Sequence, residues 1–144
     1  MTEHTTDTDI LHALESNSDL AMLVLEPPIA FNAIFADMTG SVTAALLLSV
    51  CTQGTDLPMD AHGWTELDTA RFKRITRLTA HEQRTARRVL CAQQLIEERR
   101  IGFPAKSEYR VNFERVSQRL ISIAQQRSAQ TALQLDGMQP SMTH

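Results

Sequence analysis

The tetrad Thr79-Ala80-His81-Glu82 does more than any other stretch to restrict how this 144-residue chain can fold. A threonine followed three residues later by a glutamate matches the capping box, in which the two residues satisfy each other's free backbone N–H groups at a helix start. It predicts a helix from Ala80 to about Leu95. Asp68 or Thr69 can cap a shorter helix over Ala70–Arg77, with Phe72 and Ile75 turned inward. Only a tight turn around Leu78 is left to join the two. Ile96–Arg100 then reads as a strand and Gly102-Phe103-Pro104-Ala105 as a loop tip. Ser107–Phe113 alternates, with Tyr109, Val111 and Phe113 on one face, and reads as a second strand.

Helix, turn, helix, strand, loop, strand is the order of a winged helix-turn-helix, so the expected class is mainly α, with a two-stranded β-wing and a C-terminal helix. Upstream, residues 1–20 are polar and acidic and read as a flexible segment, apart from one or two helical turns over Ile10–Leu14. Ala21–Glu26 is a short strand or extended arm stopped by Pro27-Pro28. Phe31, Ile34, Phe35 and Met38 share one helical face, and Ser41 can cap a nearly all-apolar, hence central, helix over Val42–Cys51. Gly54–Gly63 is a loop, and Trp64 anchors a turn or short strand. Residues 21–113 form the expected domain. Residues 114–135 form a helix with Val116, Leu120, Ile123 and Ala124 on one side, and 136–144 a tail.

The net charge of −3 conceals an asymmetry. Residues 1–70 hold eleven acids and no Lys or Arg, whereas residues 71–110 hold eleven bases against four acids, a net +7. Such a split points either to a polyanion partner for the basic part or to internal packing of acid on base. On a 100° step, Ala86, Val89, Leu90 and Gln93 fall on the core side of the second helix. Arg84 and Arg88 fall opposite, flanked by His81 and Arg87 and beside Thr85. Arginine's fork matches phosphate oxygens and the O6/N7 edge of guanine, and a major groove about 12 Å wide admits such a helix. Arg99, Arg100 and Lys106 at the hairpin are expected on phosphates, with Arg77 and Thr79 at the turn completing the DNA-binding set. The partner expected is double-stranded DNA.

Other chemistries find no support in the sequence. There is no phosphate-loop or nucleophile-elbow glycine pattern, no Cys or His pair at metal-ligand spacing, and no segment near the ~20 apolar residues a membrane span needs. No catalytic residue, cofactor, metal or membrane is expected, and the N-terminus lacks a signal pattern, which predicts a cytoplasmic protein. Cys51 reads as a small buried hydrophobe, Cys91 as near the polar side of its helix, where a redox role stays open, and Trp64 and Tyr109 as core. The competing reading is a protein-interaction module. If Asp56, Asp60, Glu66 and Asp68 lay near the second helix, they would neutralise it. The 114–135 helix either packs on its own domain or pairs with a second copy as a homodimer.

The stretch from Gly63 to Glu114 resembles the winged-helix domain of phage and plasmid replication proteins, such as replisome organisers, and of small DNA-binding regulators of mobile elements. Trp64 after glycine, Phe72, the Arg84-Thr85-Ala86-Arg87 run, Leu95-Ile96-Glu97 and the Gly102–Asn112 wing carry the resemblance, and Glu26–Phe31 and Gly40-Ser41-Val42 extend it to roughly residues 25–115. It implies a transcriptional or replication regulator. Where that family usually has glycine, this chain has Arg77 and Gln94, at sites that often favour a left-handed backbone.

Overall fold

The computed structural model describes residues 11–12, 15–16, 29–53 and 58–138. The expectations for the rest of 1–28, for part of the 54–63 loop with Asp56, and for the tail beyond 138 lie outside the described residues. The described chain is mainly helical and carries one three-stranded antiparallel sheet. In order come α1 (Ile34–Thr39), α2 (Val42–Thr52), β1 (Thr65–Glu66), α3 (Thr69–Thr76), α4 (Ala80–Ala92), β2 (Ile96–Ile101), β3 (Lys106–Val111) and α5 (Phe113–Met138).

α2 is the hub. Ser41 caps it by accepting from the N–H of Ala44, and Ala44, Ala45, Leu47, Leu48, Ser49 and Val50 are all buried. A helix apolar on every side must be covered on every side. α1 and α4 pack along it and α3 adds a smaller contact. Its one buried polar side chain, Ser49, is satisfied: Oγ donates to the carbonyl of Ala45 at 2.7 Å and accepts from the N–H of Asn32 at 3.1 Å.

The capping box at Thr79 is present in both directions, Thr79 N to Glu82 Oε1 at 3.0 Å and Glu82 N to Thr79 Oγ1 at 3.2 Å. Both helices of the pair end on a residue in the left-handed region. Arg77 (φ 63°) closes α3, its N–H donating to the carbonyl of Lys73, and Gln94 (φ 61°) follows α4. At α4 the N–H of Gln94 reaches Cys91 O and that of Leu95 reaches Leu90 O, while Leu90 and Leu95 are both buried. This is the Schellman pattern with its apolar contact, built without the usual glycine. Gln83, 1% exposed, ties the pair together by donating to the carbonyls of Thr69 and Leu78 at 3.0 and 3.1 Å.

The sheet has the order β1-β3-β2, one strand more than expected. β1 is two residues long and pairs Thr65 with Tyr109 and Glu66 with Glu108. The β2–β3 hairpin pairs Ile96 with Val111 through Ile101 with Lys106. Ile96, Tyr109 and Val111 enter the core, and the Phe72 and Tyr109 rings meet at 5.7 Å between centroids. Phe113, expected on the same strand face, is instead the exposed first residue of α5. Val116 is buried against the core, with Leu120 and Ile123 half-covered beside it, and Arg119 donates to the carbonyl of Met38. α5 continues to Met138 rather than ending at 135, and from Ala124 to Gly137 it is exposed on every side.

Candidate nucleic-acid interface

α4 presents His81, Arg84, Thr85, Arg88 and Ala92 to solvent, at helical spacings of three and four, opposite buried Gln83, Ala86 and Leu90. Among the described residues, Arg84 and Arg88 have no carboxylate within 4 Å. The nearest acid in sequence, Glu82, is held in the capping box. The backbone N–H of Thr79 and then its hydroxyl keep the Glu82 carboxyl below its ordinary pKa.

Several bases expected on this surface are engaged elsewhere. Arg87 turns off the outer face toward the hairpin: its side chain is 14% exposed and its Nε lies 2.8 Å from Glu98 Oε1. The contact is an ion pair whose N–H directions miss the carboxylate, so Nε and Nη1 have no aligned hydrogen bond. Arg87 latches β2 to α4 instead of reaching outward. Arg99 is likewise spent inside the fold. It donates to Glu108 at 2.8 Å, pairs with Asp60 at 3.2 Å, and its guanidinium lies 4.2 Å from the Trp64 ring centroid. Arg110, over the same ring at 4.5 Å, pairs with Glu97. Thr79's hydroxyl is occupied by the cap.

Strand alternation separates the remaining hairpin bases. Ile96, Glu98 and Arg100 point to the side of β2 that meets the core and α4, whereas Arg99 shares the opposite, Trp64 side with its cross-strand partner Glu108. Arg100 is exposed two residues beyond the latch, toward α4. Lys106 is exposed on the Trp64 side, beside Asp60 and Glu108 along one recess. Thus Arg100 joins the α4 surface and Lys106 faces away from it.

Two contributors were not singled out from the sequence. Lys73 and Arg74, exposed on α3, line with Ala70 and Arg77 a recess of about 380 Å3. Arg77 Nη1 donates to the carbonyl of Arg74 at 2.8 Å, which fixes one wall. Their signal was the 73, 74, 77 spacing, which puts three bases on one exposed helix face.

None of the described acids of the first half forms an ion pair with a base of α4. Asp37 pairs with Arg127 on α5, and Asp68 caps α3 by accepting from the N–H of Arg71. Asp60 accepts from the N–H groups of Trp64 and His62, which together with Arg99 hold its carboxyl below the usual range, and Glu66 lies on β1.

Burial pushes the Cys51 thiol up to about 12 and the Cys91 thiol up to about 11, the latter aided by the nearby Glu98 charge. Neither supplies thiolate near neutral pH, so neither is an activated nucleophile. No group of three or more His, Cys, Asp or Glu suited to a metal occurs among the described residues, and no helix of theirs is long and apolar enough to cross a membrane. Compared with known proteins, the chain matches no family model, no curated protein and no solved structure.

Proposed function

We propose that this chain is a sequence-selective double-stranded DNA-binding protein of winged-helix type, acting as a transcriptional or replication regulator and not as an enzyme. The observation that carries the reading is the outer face of α4, where Arg84, Arg88, Thr85 and His81 stand clear of any carboxylate partner among the described residues. A helix offering two unpaired guanidinium forks on one face can read base edges in a major groove. Lys73 and Arg74 on α3 and Arg77 at its C-cap, with Arg100 on the hairpin, would hold phosphates beside that face. Against the rival reading as an interaction module stands that Asp60, Asp37 and Asp68 are taken up by Arg99, Arg127 and the α3 cap and do not lie on α4. Selection of bound duplexes from a random pool tests the proposal. A recovered consensus is the expected result, and a pool that stays random after repeated rounds refutes sequence selectivity.

One such domain spans few base pairs, and two copies on half-sites one helical turn apart would raise both affinity and selectivity. The uncovered second half of α5, with Leu133 and Leu135 exposed and Ile121 exposed just before it, is the segment we assign to a homodimer contact.

A further inference from the structure

We propose that Phe103, at the tip of the β2–β3 hairpin, is a wedge that enters the minor groove beside the α4 site, unstacks one base step and bends the duplex. The inference rests on the DNA-binding reading of α4 and adds to it a second contact of different chemistry.

Ile101, Gly102, Phe103, Pro104 and Ala105 are five consecutive residues without a charge or a polar side chain, and all five are exposed, Phe103 completely. A lone surface hydrophobe needs no explanation, but an exposed apolar run of this length works against solubility unless it has a use. The tip is held by a hairpin of six paired positions, anchored to α4 through Arg87–Glu98 and braced across the strands by Arg99–Glu108. Its shoulders are the exposed bases Arg100 and Lys106, neither of which is ion-paired among the described residues.

An apolar tip between two cations fits a duplex groove, where phosphates line the walls and base faces form the floor. Apolar side chains inserted between base steps from the minor groove unstack them and kink the helix. From the latch at Glu98 the extended strand runs three residues to Ile101, about 10 Å at ~3.3 Å per residue, and the 102–105 turn carries Phe103 beyond it, clear of the body of the fold.

The test uses the full chain and the duplex recovered by selection, with 2-aminopurine placed at successive positions flanking the α4 contact. The parent and Phe103→Leu are expected to raise fluorescence at one step and to bend the duplex by at least about 20°. Phe103→Ala, which removes an exposed ring and leaves the fold intact by circular dichroism, is expected to abolish the signal. It should also weaken binding roughly tenfold, within the range of an aromatic–base stack, without changing the salt slope. A parent that binds through Arg84 and Arg88 while no position brightens, or a Phe103→Ala variant that brightens equally, overturns the wedge and leaves the α4 reading standing. A parent that binds no duplex overturns both. Binding to phosphatidylserine vesicles that depends on Phe103, with DNA affinity unaffected by Phe103→Ala, assigns the tip to a lipid surface and also overturns the proposal.

Discussion

Replacing Gln94 by glycine is predicted to stabilise this protein, an outcome opposite to that expected at a right-handed or extended position. Gln94 has φ 61° and an exposed side chain that makes no hydrogen bond among the described residues. Only its backbone is structural, in the turn closed by Gln94 N–Cys91 O and Leu95 N–Leu90 O. A Cβ in the left-handed region costs about 1–2 kcal/mol, which glycine removes. Glycine returns about 0.4–1 kcal/mol of that through the greater freedom of the unfolded chain. The net gain is about 0.5–1 kcal/mol, or about 2–4 °C in Tm for a chain of this size. Gln94→Ala keeps the Cβ and is the reference. Urea unfolding followed by the fluorescence of Trp64, buried in the fold, measures the difference. At a right-handed or extended site, Gln94→Gly would fall below Gln94→Ala by about 0.5–1 kcal/mol. A midpoint for Gln94→Gly at or below that of Gln94→Ala refutes the left-handed turn.

Three further outcomes follow from the side-chain arrangement. Binding should weaken linearly in log–log salt titrations, with a slope near −3.6 if about four phosphates are neutralised. Arg100→Ala should lower that slope by about one unit, whereas Arg99→Ala, already committed to Glu108 and Asp60, should leave it unchanged; the reverse order would contradict the hairpin assignment. Because Glu82 has a lowered carboxyl pKa, its contribution to stability is present above the ordinary carboxylate range near 4 and lost as pH falls through the folded value. The stability gap between the parent and Glu82→Gln should therefore narrow on acidification, and a gap that widens would remove the capping box as its source. Truncation after Ala124, which keeps the core contacts of Val116, Leu120 and Ile123, should convert a dimer to a monomer in light scattering; a monomeric parent would exclude the α5 contact.

What could be read from the sequence was local. The Thr79–Glu82 box set the start of α4, and alternation in 107–113 marked the second hairpin strand, because these signals depend on residues three or two apart. Arg77 and Gln94 do adopt the left-handed backbone expected at their positions. What escaped was set by distant partners. β1 is two residues long, too short to show a period, and exists because Thr65 and Glu66 find β3. Arg87 lies on the flank of α4 by helical step, and Glu98, eleven residues away on β2, draws it inward. Arg99 alternates like any edge arginine, but Trp64 and Asp60, more than thirty residues upstream, capture it. α5 runs through Gly137, where a helical glycine costs only about 1 kcal/mol against alanine and did not stop it.

The central claim, that the outer face of α4 reads base edges, is tested most directly by anisotropy titration of the parent and an Arg84→Ala/Arg88→Ala variant against the selected duplex and a scrambled one. A bidentate guanine contact contributes about 1–3 kcal/mol. The double variant should therefore lose about a hundredfold or more in affinity for the selected duplex, with its melting temperature unchanged, and approach the parent's affinity for the scrambled one. A variant that binds the selected duplex as tightly as the parent, or a parent that does not distinguish the two duplexes, contradicts it.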